Sequence, residues 1–261
     1  MRIFILIVLT LFAACAPRGE IEFAPPVPGA ELHTIWTAKF RSDRQPGQGQ
    51  RSPPRPEKLV FERNQISVPK THQPGQIEWP KGLPDAATDF VTLSQETVNG
   101  IDTFAQAVRN SDGKTSQPIF LFVHGYNYTH AEAVYQMAQI VHDFDVPAPP
   151  VLFSWPSAGV PFGYLYDRDS ALIARDALED LLIALTNVPG AEVTILAHSM
   201  GNFLVMETLR QMEISGSINI EKKIAELIMI SPDIDGELFY RQASRLRDLP
   251  EPTVILAAKQ D

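Results

Sequence analysis

The segment around Ser199 contains the residue types that a serine nucleophile requires. The letters VTILAHSMG, residues 193–201, are an apolar run that leads directly into a helical pattern. The strand-to-helix turn of a nucleophile elbow is so tight that only small residues fit two positions before and two positions after the serine. Ala197 and Gly201 occupy those positions, with Ala where Gly is commoner. The pattern predicts that Ser199 is a nucleophile, and the alternative is a serine that merely caps a helix.

Two backbone amides are expected to face this serine. The apolar run at residues 119–123 leads into the letters HGYN. In hydrolases with a nucleophile elbow, the loop after such a strand supplies one N–H of the oxyanion hole, and the residue after the nucleophile supplies the other. This assigns the backbone N–H groups of Tyr126 and Met200. His124 is interpreted as a loop-shaping residue and not as a base, whereas Asn127 either braces the loop or is a simple turn residue.

The elements that must position these residues alternate from about residue 89 onward. Short runs that are apolar on both faces indicate parallel strands covered by helices, and they lie at residues 119–123, 151–153, 193–197, 227–230 and 254–258. Helical spacing of apolar residues is found at 131–144, 174–185 and 202–212. Strand and helix repeated in this way predict a doubly wound α/β sheet, whose ligands bind at the carboxyl ends of the strands.

The first part of the chain has a different composition. Residues 15–57 are rich in Pro, Gly and Gln and are predicted to be a tether with a short strand, followed by one domain at 58–261. The segments 32–40 and 58–68 are rich in β-branched and aromatic residues. We expect them to add an antiparallel edge to the mostly parallel sheet.

Several of these motifs together resemble the α/β-hydrolase superfamily. The letters FVHGYN, FSWPS, YDRDSA, AHSMGN and SPDID are similar to one of its uncharacterised bacterial families, named domain of unknown function nine hundred. The likeness extends from about Leu32 to the end of the chain. HSMG is generic to the superfamily, whereas SWPS and SPDID are more specific. The resemblance implies the α/β-hydrolase fold and an ester or acyl hydrolase, and it implies no substrate.

The resemblance also implies the order of the catalytic triad: Ser, then Asp or Glu, then His. Asp261 follows the apolar run at 254–258, where the family has its triad acid, and is ranked first. Asp233 follows the preceding strand and is ranked second, with a helix-capping role as its alternative. No histidine follows Ser199, because His33, His72, His124, His130, His142 and His198 all precede it. None of the six is a good base by position.

The missing base leads to an expectation about the end of the chain. The chain ends at a predicted strand, where the family continues into a further helix and a histidine-bearing loop. We expect a C-terminally truncated α/β-hydrolase domain that is nearly inactive as written. Loss of the base in related triad chemistry lowers turnover by about 10⁶.

Composition and the N-terminus limit the partners. The net charge of −9 argues against nucleic acid, and a single cysteine, Cys15, excludes an internal disulfide or a site of several thiolates. No Gly-rich phosphate loop follows a strand, so no cofactor is expected, and no metal is expected either.

Residues 1–14 have the layout of a secretory signal. The letters FAAC resemble a bacterial lipobox with lipid on Cys15; ordinary cleavage or an uncleaved anchor are the alternatives.

These observations lead to one main functional hypothesis and one alternative. The main hypothesis is a serine hydrolase that is lipid-anchored in the bacterial envelope, on the periplasmic face of the outer membrane, and acts on an ester or lipid. The alternative is a non-catalytic envelope lipoprotein that uses the same scaffold for binding. Aromatic residues after one strand end, among them Trp155, Phe162 and Tyr164, either line an apolar pocket or belong to the core.

Overall fold

The computed structural model describes residues 18–41, 55, 58–111, 118–187, 190–217 and 220–257. Eight strands lie in this part of the chain: β1 Glu31–Arg41, β2 Lys58–Val68, β3 Val91–Val98, β4 Ile119–Val123, β5 Pro150–Ser154, β6 Val193–His198, β7 Ile224–Ile230 and β8 Thr253–Leu256. The helices are α1 Ile101–Arg109, α2 His130–Asp143, α3 Tyr164–Thr186, α4 Met200–Ser215, α5 Ile220–Lys223 and α6 Gly236–Ala243. Cys15 and Asp261 lie outside the described residues, so the predictions for them stay predictions.

All eight strands form one sheet, in the order β3-β2-β1-β5-β4-β6-β7-β8. The six strands β1, β5, β4, β6, β7 and β8 are neighbours in this order and pair in parallel. The pairs β1–β2 and β2–β3 are antiparallel. The predicted doubly wound, mostly parallel sheet with an antiparallel edge is therefore confirmed. The five apolar runs correspond to β4, β5, β6, β7 and β8. Strands covered on both faces are apolar throughout, as β4 is, whereas β8 is the outermost strand and is mostly exposed.

The antiparallel edge contains one strand more than the sequence predicted. The strand β3 was not predicted because its residues, VTLSQETV, are mostly polar and only its first two are fully buried. The sequence grouped β1 with the tether, but β1 pairs with both β2 and β5 and buries Ile35 and Ala38 completely. Because β1 links the antiparallel and parallel strands, the folded sheet begins at Glu31.

Helices cover both faces of the sheet. On one face α1, α3 and α4 bury a core that includes Phe104, Leu178 and Leu204, and on the other α2 buries Val134 and Tyr135. The start of α2 is set by a capping box in which the Thr129 hydroxyl and the Glu132 carboxylate accept each other's backbone N–H. None of the helices in the described residues combines the length and apolarity needed to cross a bilayer.

Candidate active site

Ser199 lies at the sharp turn between β6 and α4. Its backbone has φ 50° and ψ −123°, a combination that residues other than glycine rarely adopt. Such a conformation costs of order 1–3 kcal/mol and persists only where the surrounding structure enforces it. The predicted nucleophile elbow is therefore present in its geometry, with strain concentrated at the serine itself.

Two glycines allow the chain to close around this turn. A Cβ atom on Gly201 would lie 2.5 Å from the carbonyl oxygens of both Val123 and His124, so α4 can approach the end of β4 only without a side chain there. A Cβ atom on Gly125 would lie 3.0 Å from the Cβ of Ser199. The HGYN loop is thus brought against the serine, because β4 and β6 are neighbours in register.

Backbone hydrogen bonds hold the strained turn in place. The N–H of Ser199 donates to the carbonyl of Ile230 at 3.0 Å, and its own carbonyl accepts from the backbone N–H of Asn202 at 3.0 Å and that of Asp233 at 3.2 Å. The buried side chain of Asn202 donates from Nδ2 to the Ser199 carbonyl at 3.1 Å and to the Ile230 carbonyl at 3.0 Å. These contacts join the ends of β6 and β7 and offset the strain.

The Ser199 hydroxyl has no protein partner within the described residues. The residue is half-buried, and although it occupies the N-cap position of α4, its side chain accepts no capping hydrogen bond. The helix-cap interpretation of this serine is therefore wrong, since the required bond is missing. The hydroxyl is free for chemistry instead.

The two predicted oxyanion amides belong to the residue after Ser199 and to the loop that touches Ser199. Met200 is the first residue of α4, so its N–H has no acceptor inside the helix. Tyr126 follows Gly125 in the loop that touches Ser199, and its ring packs against Tyr164 with centroids 5.5 Å apart. Throughout the described part of the chain, neither amide donates to a protein acceptor.

The oxyanion loop is braced by a buried carboxylate that the sequence analysis did not identify. Asp167, on the first turn of α3, is completely buried. It accepts from the Asn127 N–H at 3.1 Å, the Ala158 N–H at 2.6 Å and the Ser157 hydroxyl at 2.6 Å. One carboxylate thereby ties the HGYN loop to the SWPS loop. The YDRDSA motif contains this residue, but only the tertiary contacts reveal its role.

Asn127 braces the loop, which settles the alternative left open by its sequence position. Its φ is 59°, and its side-chain oxygen accepts from Arg18 at 2.9 Å. Arg18 also contacts the Asn127 carbonyl and the carboxylate of Glu132 at the start of α2. A residue near the start of the described chain thus reinforces the oxyanion loop.

His124 shapes the loop and is unsuited to be a base, as its sequence position predicted. The ring is buried and stacks on Trp155 with centroids 5.1 Å apart at 9°. Burial lowers the pKa of His124 to about 4, and its Nδ1–H donates to the Gly125 carbonyl at 2.9 Å. Trp155, one of the aromatic residues that could line a pocket or belong to the core, is part of the core. It is 2% exposed, and its indole N–H donates to the His124 carbonyl at 2.7 Å.

None of the remaining histidines bonds to Ser199 either. His130 Nδ1 pairs with the Ser154 hydroxyl at 3.0 Å, and burial lowers the pKa of His130 to about 3. His198 Nδ1 is buried without a partner, and burial lowers the pKa of His198. The other three, His33, His72 and His142, lie near the amino ends of the parallel strands, whereas Ser199 follows a carboxyl end. Within the described residues, no imidazole is placed to take the serine proton.

The candidate acids differ in how well the structure describes them. The exposed Asp233 is joined to Ser199 by its backbone N–H, and its carboxylate hydrogen-bonds to Tyr164. Asp235 caps α6 by accepting from the N–H groups of Glu237 and Leu238 at 3.0 Å each. The first-ranked Asp261 lies outside the described residues.

The match to a family model agrees with this architecture. A family described as "Alpha/beta hydrolase of unknown function (DUF900)" matches residues 102–261, which is more than half of the chain. The uncharacterized protein alr1448 of Nostoc sp. is 38% identical over 61 residues, covering 23% of this chain and 16% of that protein. The structure of phospholipase PlaB from Legionella pneumophila has a TM-score of 0.27 and 20% identity over 44% of this chain and 25% of that one. The chain thus spans about a sixth and a quarter of these two proteins.

Proposed function

Since the chain belongs to the α/β-hydrolase family of unknown function DUF900, we propose that it is a serine hydrolase that acts on an ester through Ser199. The observation that carries the proposal is the strained backbone of Ser199, with φ 50°, combined with an unbonded, half-buried hydroxyl. Strain of this kind persists at functional sites because the fold enforces it. A serine that only packed or capped a helix would not need it.

The surroundings of Ser199 support acyl transfer. Its oxygen attacks the ester carbonyl, and the alcohol leaves as the tetrahedral intermediate collapses to an acyl-enzyme, which water then hydrolyses. The negative charge on the intermediate is stabilised by the N–H groups of Tyr126 and Met200, each worth about 3 kcal/mol in such sites. The N-terminus of α4 adds a favourable dipole.

The rate of this reaction depends on a general base. No histidine contacts the serine hydroxyl in the described residues, so we expect turnover by the chain as written to be very low. Removing the base in a related enzyme lowers turnover by about 10⁶. Asp261, and after it Asp233, remain the proposed acids that would orient a histidine.

The proposed substrate is an ester with an apolar acyl group, and a lipid ester fits best. Val160 and Phe162, on the segment that joins β5 to α3, expose 49% and 101% of their surface, and Leu165 in the first turn of α3 exposes 76%. Tyr164, the first residue of α3, packs its ring against Tyr126 of the loop that touches Ser199 and interacts with the carboxylate of Asp233. A lipid on Cys15 would hold the protein at the envelope membrane, where such esters are found.

A non-catalytic envelope lipoprotein is the second candidate. The absence of an imidazole beside Ser199 in the described residues favours it, because a binding protein needs no base. The two candidates differ in whether Ser199 can become covalently acylated or phosphonylated.

Covalent labelling tests the proposal directly. The full chain is treated with a fluorophosphonate probe at pH 7 and pH 9, with and without added imidazole as a substitute base, and the modified residue is found by mass spectrometry. We expect slow labelling of Ser199 that imidazole and the higher pH accelerate, and none in Ser199→Ala. The exposed Ser244, replaced by Ala, is the matched control and should label as the wild type does. Labelling that persists in Ser199→Ala contradicts the proposal, and no labelling in any condition supports the binding protein.

A further inference from the structure

A second cluster of titratable side chains lies far from Ser199. The first residues of β1 include Glu31 and His33, and the last turn of α2 includes His142. Because β1 is parallel to β5, its start lies at the amino ends of the parallel strands, whereas Ser199 follows the carboxyl end of β6. We call Glu31, His33 and His142 the amino-edge cluster.

The ligand atoms of the amino-edge cluster converge on one point. His33 Nε2 lies 3.2 Å from His142 Nδ1, and the Glu31 carboxylate lies 3.8 Å from the first nitrogen and 3.6 Å from the second. The two rings meet edge to face at 85°, and when no ion is bound their facing nitrogens are at hydrogen-bonding distance from each other. All three ligand atoms lie within 4.8 Å of one another.

These separations match the needs of a tetrahedral metal ion. A zinc–nitrogen bond of about 2.0–2.1 Å places neighbouring ligands of a tetrahedron ~3.3 Å apart. The two imidazole nitrogens already have this spacing, whereas the exposed Glu31 carboxylate, whose Oε1 lies nearest His33 and whose Oε2 lies nearest His142, has to turn one oxygen toward both nitrogens. Two imidazoles and one carboxylate, with water as the fourth ligand, are a donor set that zinc uses in proteins.

The electrostatic surroundings favour a cation. The carboxylates of Glu31 and Asp145 both act on the charge of His33. The side chains of His33 and His142 are 14% and 24% exposed, so they are held by the fold and remain reachable from solvent. A bound cation would neutralise the local excess of negative charge.

The neighbouring His72 is a weaker candidate for a ligand, although it lies 5.0 Å from His142 between ring centroids. Its Nδ1 contacts Glu78 and its Nε2 contacts Asp143, each at 2.8 Å. Asp143 in turn accepts from the Gly75 N–H at 2.7 Å and from Gln139. Both nitrogens of His72 are therefore occupied, and this network supports the end of α2 without needing an ion.

We propose that Glu31, His33 and His142 bind a divalent transition-metal ion of the zinc type. The ion ties the start of β1 to the end of α2, two elements that are otherwise joined by side-chain packing. The site is independent of the proposed hydrolase function, since it lies at the other edge of the sheet.

Metal titration of the full chain, without a polyhistidine tag, tests the proposal. Co²⁺ is added first, because a tetrahedral Co²⁺ site absorbs visible light, and Zn²⁺ is then added to displace it. We expect one equivalent of Co²⁺ to develop visible bands that Zn²⁺ abolishes, and excess Zn²⁺ to raise Tm by about 5 °C. No bands and no change in Tm for the wild type would overturn the proposal.

Variants identify the ligands. His33→Gln and His142→Gln should each lose the bands and the Zn²⁺-dependent rise in Tm, and Glu31→Gln should weaken binding at least tenfold. Glu96→Gln is the control, because Glu96 is 62% exposed, as Glu31 is. For every variant, Tm without metal shows whether the chain is folded. Bands that persist in His33→Gln but disappear in His72→Gln would assign the ion to the neighbouring network and overturn the proposal.

Discussion

Each edge of the sheet holds three histidines, and the two sets are used in opposite ways. At the carboxyl edge, His124, His130 and His198 each have a buried ring nitrogen without a hydrogen-bond partner in the described residues. At the amino edge, His33, His72 and His142 contact one another and the carboxylates of Glu31, Glu78 and Asp143.

Within the described residues, the carboxyl edge thus leaves ring nitrogens unpaired, whereas the amino edge pairs them with carboxylates. The buried imidazoles at the carboxyl edge have lowered pKa values, which reduce stability once the pH falls below about 6.5, and the strained serine lowers stability at any pH. The amino edge satisfies its polar groups with charge-assisted hydrogen bonds, which raise stability. The following predictions test this contrast, from the largest expected effect to the smallest.

His72→Gln should cause the largest loss of stability. The change removes the group that bridges Glu78 and Asp143, whose side chains are 20% and 7% exposed, and it takes away one donor from each carboxylate. Breaking a buried ionic network lowers the free energy of unfolding by about 3–5 kcal/mol. Urea denaturation measures this loss, and Glu96→Gln at an exposed ion pair should change stability by less than ~0.5 kcal/mol. Equal losses of unfolding free energy in both variants would mean that the His72 network at the amino edge contributes no more than an exposed ion pair.

Gly201→Ala should destabilise the carboxyl edge by about 3 kcal/mol, since the added methyl group overlaps two backbone carbonyls that cannot move independently. Gly236→Ala is the control, because a Cβ atom there meets nothing within 4 Å and φ is not positive. Thermal unfolding followed by circular dichroism compares the two. A stable Gly201→Ala variant would mean that α4 can retreat from β4.

His124→Asn should reduce the sensitivity of the protein to acid. The pKa of His124 falls from 6.5 in the unfolded chain to about 4 in the fold because of burial. The unfolded chain therefore takes up the proton first, and stability is lost as the pH falls below 6.5. Between pH 7 and pH 5 this residue contributes a loss of about 2 kcal/mol, which the variant should lack. Urea curves at both pH values measure it, and an unchanged pH dependence would contradict the assignment.

Ser199→Gly should have the smallest effect and the opposite sign. Glycine adopts φ 50° without strain, so the variant should be more stable by about 1 kcal/mol while losing all fluorophosphonate labelling. Ser244→Gly, within a region of ordinary backbone geometry, should not gain stability. A loss of stability in Ser199→Gly would mean that the elbow stores no strain.

The sequence predicted the parallel strands and two strands of the antiparallel edge, β1 and β2, but it missed β3. The runs that became β4 to β8 are apolar on both faces, so their period and length were sufficient to find them. The strand β3 is half-exposed and lacks a continuous apolar face, and only its pairing with β2 makes it a strand. Pairing between distant segments leaves little trace in local composition.

The residues of the candidate site also fall into two groups, those that the sequence indicated and those that it did not. The small residues around Ser199 and the HGYN loop pointed to the elbow, because tight turns restrict residue types. Asp167 gave no such signal, since a carboxylate that accepts three hydrogen bonds from two loops looks like any other acidic residue on a helix. The amino-edge cluster was also missed, because its ligands are separated by more than a hundred residues along the chain.

The sequence by itself determined the class of the fold, the position of the tight strand-to-helix turn at Ser199 and the acidic character of the chain. These depend on local constraints: apolar periodicity, the size of residues that fit a tight turn, and net charge. Only the tertiary structure decided that no histidine in the described residues reaches Ser199, that Asp167 supports the oxyanion loop, and that His33 and His142 converge. Distances between side chains on different elements depend on the register and packing of the whole sheet, which no short stretch of sequence contains.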